Sequence, residues 1–339
     1  MQRYVVQRLI LLIPVLFVIS VLVFSLMHLI PGDPAQVILG FENTDPVQLA
    51  AVRRDLGLDR PVYVQYGRWL GRVLSGNLGT SVRTGRPIGT LMGEALPFTL
   101  ELAVYAIALA VLIAIPVGTL AGTTSSRLAD GAMQTLTLLG LSLPAFWVGA
   151  MFILLFSVHL RWFPVLTYPG LAEAPLANLR GFFLPALPVL TYPGLAEAPL
   201  ANLRGFFLPA LTLAVPNAAA IARMVRASLV AVRREEYVKV ARAKGLSEPV
   251  VVRRHMLKNA LIPVVTLVGI VAGYLLGGSI VVEQVFAIPG VGRMGLQAIV
   301  QRDYPVLQAV VLIVTALFVL VNLLVDLFYV FLDPRIRYA

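Results

Sequence analysis

The chain has 339 residues, 59% hydrophobic and only 13% charged, with a net charge of +10. A charged fraction about half the roughly 25% of an average soluble domain excludes an ordinary soluble protein. The absence of cysteine excludes disulfides, thiolate metal sites and a cysteine nucleophile, and His28, His159 and His255 are scattered without metal-ligand spacing, so no metal is expected.

Apolar runs near 20 residues match a hydrocarbon core about 30 Å thick, and six segments qualify as membrane-crossing helices. The first, residues 9–30, follows the basic head "MQRYVVQR"; its 22 residues exceed a signal-peptide core and "HLIPGDP" offers no small-residue cleavage site, so an uncleaved anchor is expected. The others are expected at residues 97–122, 133–160, 206–225, 259–282 and 306–331, with Pro14, Pro116, Pro144 and Pro263 marking kinks. The expected fold is all-α and polytopic. It is organised as an N-terminal end and first span at 1–30, an external region at 31–96, a membrane core at 97–332 and a C-terminal end at 333–339.

Residues 31–96 are too many for a connector, and Asp45, Pro46 and Gly57 bracket a first helix there. A second is expected over 61–75, stopping at Gly76, so the region forms a small helical cap. Further on, "PVLTYPGLAEAPLANLRGFFLPAL" occurs at 164–187 and again, identically, at 188–211. Two perfect copies do not make a solenoid, which needs three or more units. A recent duplication or an assembly error fits better, with the first copy an extended external loop and no function of its own.

Residues 223–258 hold ten basic side chains against three acidic ones, whereas Glu283 and Asp303 balance Arg293 and Arg302 between the last two spans. Lys and Arg concentrate in cytoplasmic loops, so this block and both termini are expected on the cytoplasmic side. Within it "EEYVKVARAKG" reads as a short helix with Tyr237, Val240, Ala241 and Lys244 on one face, stopped by Gly245 in the left-handed conformation. Ser247 can cap a second helix that tolerates Pro249 in its first turn and runs into the fifth span. Charge alone would suit anionic headgroups, and no nucleic-acid module accompanies it. A headgroup-binding tract needs no sharp turn, whereas a helix–turn–helix that projects from the membrane suits a groove on a protein partner.

The stretch "YVKVARAKGLSEPVVVRRHMLKNALIPVVTLVG" resembles the cytoplasmic loop of permease subunits of binding-protein-dependent ABC importers, in the version of the dipeptide, oligopeptide and nickel group. The family's loop reads E-A-A, three residues, G, nine residues, I-x-L-P. Aligned on Gly245, Lys239, Val240 and Ala241 replace E-A-A, and His255, Met256, Leu257 and Lys258 replace I-x-L-P, departures shared by the peptide group. "SGNLGTSVRTGRPI", "LPFTLELA", "SLPAFWVG", "VVEQVFAIPGVGRMGLQAIVQRDYPVLQAVVL" and "VDLFYVFLDPRIRY" are also similar to that group, so the likeness spans nearly the whole chain.

The resemblance implies a permease of type I architecture in the cytoplasmic (inner) membrane. Its implied partners are a second homologous permease, two ATPase subunits that carry ATP and magnesium, and an external solute-binding protein, with di- or oligopeptides as cargo. Gly245 and Ser247 would shape the ATPase-coupling turn, Tyr237, Val240 and Ala241 its apolar contact, Arg242 and Lys244 its charged rim, and His255 the start of the following helix. The chain has no Gly-Lys pair, hence no phosphate-cradling loop; no bound cofactor is expected, and ATP hydrolysis falls to other chains.

Ionisable and aromatic residues in or beside spans are candidates for a substrate path: Glu101, Glu283, Asp326, and Trp147 with Phe146. Glu101 and Glu283 sit close enough to the interface to be hydrated, and the aromatics to be packing. Gly269, Gly273 and Gly277, four apart, place a smooth stripe on one face of the fifth span, either for tight packing or for a sliding contact. A nickel-chelate or glutathione importer is the alternative within the family, and a secondary transporter or channel the alternative outside it. An intramembrane enzyme is disfavoured, because no paired carboxylates or activated nucleophile can be assembled.

Overall fold

A computed structural model of the chain describes residues 2–29, 46–56, 58–124, 126–160, 162–163 and 199–332. Among these the architecture is all-α, with a single isolated β-bridge between Thr80 and Pro87. The helices are α1 (Gln2–Leu29), α2 (Pro46–Leu56), α3 (Val62–Leu74), α4 (Ile88–Thr123), α5 (Arg127–Ser142), α6 (Ala145–Phe152), α7 (Pro199–Val232) and α8 (Glu236–Ala243). After α8 come α9 (Leu257–Gly278), α10 (Ile280–Val285), α11 (Val291–Gln301) and α12 (Tyr304–Leu332). Asp45, Gly57, the first repeat copy and residues 188–198 lie outside the described residues.

Six spans are not confirmed among the described residues, which hold four, or five if a bent helix pair is one span. Among the described residues four helices are long and apolar enough to cross a membrane: Ile88–Thr123, Asn202–Val232, Glu248–Gly277 and Tyr304–Val325. The expected third span is two helices, Asp130–Ser142 and Ala145–His159, bent by 99°. Pro144 causes the break, because it has no N–H to continue the ladder and its extended backbone (ψ 133°) leaves the helical region. Within α1, which runs for 28 residues, the described apolar segment is Ile10–Ser25. The fourth and fifth expectations shift as well: α7 runs through the arginines to Val232, and α9 stops at Gly278 before α10 begins.

The chain divides into two compact units that do not follow the linear order. One contains residues 1–100, 272–280 and 289–339. In it Ile88, Met92 and Ala95 of α4 form a core with Val291 and Ala298 of α11 and Val306, Ala309 and Val310 of α12. Helix α3 lies on α1, where the Tyr66 hydroxyl and Ser20 Oγ are 2.8 Å apart and Tyr66 meets the rings of Phe17 and Phe24 edge-on.

The other unit contains residues 101–271 and 281–288. Its centre is α7, the most enclosed of the four candidate spans. Lipid tails are as apolar as leucine, so close backbone approach rather than escape from water holds such helices together. Every fourth residue of α4 is small and buried (Ala106, Ala110, Ala114, Gly118, Gly122), and α7 carries the matching row Ala210, Ala214, Ala218 and Ala222. At Gly118 the two backbones come so near that an added Cβ would lie 2.6 Å from the Ala222 carbonyl oxygen.

The second repeat copy supplies the start of α7. Asn202 and Phe206 are fully buried, Phe207 stacks on Phe163 at 5.3 Å, and Arg204 Nη2 donates to the Trp162 carbonyl at 3.1 Å. Deleting 164–187 or 188–211 gives the same chain, so one variant tests the duplication. It retains every one of these contacts and shortens a connection, a change of on the order of 1 kcal/mol in loop-closure entropy. The single-copy chain is expected to unfold at an unchanged or slightly higher temperature in detergent; a clear loss of stability would assign the extra copy a structural role.

Candidate functional site

The basic block folds as a helical hairpin at the end of α7. After the turn at Arg233 to Glu235, α8 runs for eight residues, and Gly245 reverses the chain with φ +77°, the left-handed conformation that its sequence position called for. Ser247 stands at the N-cap with extended backbone, but its side chain makes no capping hydrogen bond, contrary to the expectation from its residue type. One α-turn, Glu248–Val250, is followed by a π-helical turn, Val251–Met256, which feeds α9.

Side-chain bonds brace the hairpin across Gly245. Arg242 donates from Nη2 to Glu248 Oε1 at 2.7 Å and from Nε to Oε2 at 3.1 Å, a two-pronged grip that shifts the Arg242 pKa upward. Asn259 Nδ2 donates to the Tyr237 hydroxyl at 2.8 Å and ties α8 to the first turn of α9. Lys239 pairs with Glu236 at 2.6 Å on the exposed side, an i,i+3 pair with little energetic weight. The brace and the turn fasten α8 to the helix that follows it.

The structure corrects which face of α8 is available. Ala241, expected on the apolar contact surface with Tyr237 and Val240, is buried together with Val238 in the chain's own core. That core includes Val251 and Met256 of the π-helical turn and Ala222, Val225 and Leu229 of α7. Burying Val238 and Ala241, three apart, turns Val240 and Tyr237 outward, with 51% and 39% of their surface exposed. Leu246 and Val250 are exposed beyond the turn, so four apolar side chains flank an exposed Gly245. Lys244 is exposed at the end of α8, and His255 is half-buried on the π-helical turn.

The substrate-path candidates occupy three different environments. Glu101 accepts a 2.7 Å hydrogen bond from Asn202 Nδ2, and the Tyr105 hydroxyl donates to Asn202 Oδ1 at 2.9 Å, so it belongs to a polar cluster. Asn202 is fully buried and was hidden to sequence reading inside the repeat; its signal was an amide one turn before an apolar run. Glu283 on α10 is fully buried, not hydrated as its interfacial position suggested. Trp147 and Phe146, expected as pore lining or packing, are exposed just after the Pro144 break. Asp326 falls within α12.

A further cluster was missed entirely. Asp130 at the start of α5 receives Arg226 of α7 through both of its oxygens, at 2.6 and 2.7 Å. Arg226 thereby serves as an inter-helix tie rather than as free basic charge.

Residues 114–338 match the family described as binding-protein-dependent transport system inner membrane component, and residues 1–103 match its N-terminal region. The chain belongs to that family. Relatives align along their whole lengths: a dipeptide transport system permease protein of Alkalihalophilus pseudofirmus is 39% identical, with 100% of both chains covered. A glutathione transport system permease protein of Salmonella paratyphi A is 40% identical over the same shares. The MetNI methionine ABC transporter, in an inward-facing conformation, shares the fold at a TM-score of 0.53 and 20% identity, with 72% of this chain and 96% of that one covered. This inner membrane component is accordingly a multi-pass permease subunit and not itself a catalyst.

Proposed function

We propose that this permease carries di- or oligopeptides across the inner membrane, powered by two separate ATPase subunits that seat on the 237–258 hairpin. The observation that carries the reading is the braced reversal at Gly245, which presents Tyr237, Val240, Leu246 and Val250 outside the chain's own core. Closure of the ATPases on ATP and magnesium moves α8 as a rigid lever, because Arg242 to Glu248 and Asn259 to Tyr237 fasten it to the helix that continues as α9. Arg242 and Lys244 at the rim set register and association rate more than affinity. The hairpin and both termini face the cytoplasm, following the basic excess. A homologous permease completes the pathway and an external solute-binding protein delivers cargo. The peptide class rests on the names of the relatives; glutathione, itself a tripeptide, is the second reading, on the 40% identity to a glutathione permease.

Gly245→Pro tests the coupling. Proline fixes φ near −65°, far from the +77° observed, so the reversal cannot form. The tagged chain extracted from native membranes is expected to retain ATPase activity, and the variant to reach the membrane in normal amount without it. Equal ATPase retention by both would remove the hairpin as the docking element and bring forward an ion-driven transporter.

A further inference from the structure

A cavity of about 440 Å³ lies among α1, α3, α12 and the turn after α3, at the end of α1 where Leu29 emerges. Its volume is that of a small-molecule site. Among its described lining residues are Phe24, His28, Gln65, Trp69, Arg72 and Leu312, and none of the described ones is acidic. The Arg72 guanidinium makes no hydrogen bond or ion pair among the described residues and is exposed at this site. Gln65 is held by its own Nε2, which donates to the Arg60 carbonyl at 2.8 Å, so its Oε1 faces His28 Nε2 at 3.2 Å and makes that nitrogen a donor. The cavity therefore offers positive charge and donors above an aromatic floor, where Phe24 meets Trp69 at 5.7 Å and His28 at 4.8 Å.

One face of α1 leads into it. Phe17, Val21, Phe24 and His28 fall at i, i+4, i+7 and i+11, so they form a single stripe. Phe17 and Val21 are exposed, whereas Phe24 is buried at the cavity. From residue 17 to residue 28 the helix rises about 16 Å, close to the roughly 15 Å of one leaflet's hydrocarbon. An acyl chain lying along Phe17 and Val21 thus brings its headgroup to the level of His28 and Arg72, with Trp69 at the interface that tryptophan favours.

We propose that this cavity binds one anionic phospholipid, with its phosphate at Arg72 and its acyl chain on the Phe17 face of α1. The site ties the external helix α3 to the bilayer, independently of cargo or of ATPase docking. The test is native mass spectrometry of the detergent-purified full chain, titrated with phosphatidylglycerol and, separately, with phosphatidylcholine. One phosphatidylglycerol is expected to bind in preference to phosphatidylcholine, about fivefold more weakly in Arg72→Gln, and within twofold of normal in Arg72→Lys. Equal phosphatidylglycerol affinity in the native chain and Arg72→Gln overturns the proposal. So does displacement of the lipid by millimolar inorganic phosphate, which would mark a free-anion site, or a peptide found in its place.

Discussion

Gly118→Leu is expected to prevent accumulation of the folded permease, and even Gly118→Ala to lower its thermal midpoint in detergent. An added Cβ would lie 2.6 Å from both the Ala222 carbonyl oxygen and the Val225 Cβ. Because one obstacle is backbone, α4 and α7 must separate, and overpacking of this kind costs about 1–3 kcal/mol for a methyl group and more for a longer side chain. The comparison with Gly273 and Gly277 gives the prediction its shape. At Gly273 the added atom meets the Phe318 ring at 2.9 Å, a side chain that can rotate aside, and at Gly277 the nearest atom is Val314 Cγ1 at 3.7 Å. Alanine substitutions should therefore rank 118 worst, 273 intermediate and 277 near neutral. The same midpoint at all three positions would show that the α4 and α7 backbones are not in contact at Gly118.

That ranking shows where the sequence was legible and where it was not. The glycine stripe of α9 stood out because Gly269, Gly273 and Gly277 are glycines. The tighter crossing was written mostly in alanine, Ala106 to Gly122, which in an apolar run reads as ordinary helix former until the four-residue spacing is counted. The reversal at Gly245 was legible because only glycine adopts such a φ without cost. The direction of Ala241 was not: Tyr237, Val240 and Ala241 share an arc of helix, and the core of α7 and the π-helical turn decides which members of it turn inward. Burial of Glu283 was misjudged for a related reason. Distance along the chain from a span predicts depth only if the chain leaves the membrane directly, whereas here α10 follows α9 at once.

The widest gap between sequence and structure lies at Asp303, where formal charge was counted but partnership could not be seen. Asp303 is buried, and its carboxylate accepts the Ser81 hydroxyl at 2.5 Å and the backbone N–H groups of Val82 and Arg83 at 3.3 and 3.4 Å. Arg83 Nε adds a 2.7 Å bond to the Gln301 carbonyl, so the turn after α3 is clamped onto the junction of α11 and α12. Arg302 immediately before it sits at φ +57°, a left-handed conformation that costs a non-glycine residue about 1–2 kcal/mol. The clamp offsets that cost, since the Asp303 carboxylate is placed to serve these three donors, and the Val306 N–H at 3.5 Å, only when the chain reverses there. Asp303→Ala should leave buried donors unmatched at about 1–3 kcal/mol each. A total of about 2–4 kcal/mol is expected, read as a lowered thermal midpoint and as new protease sensitivity at residues 77–87. Asp303→Asn keeps the shape but lacks the charge that makes the bond from Ser81 strong, and should fall between. In a double-mutant cycle, Ser81→Ala is expected to cost little more once Asp303 is alanine. Additive effects would mean that the two residues stabilise the junction separately, and that Arg302 draws its support from elsewhere.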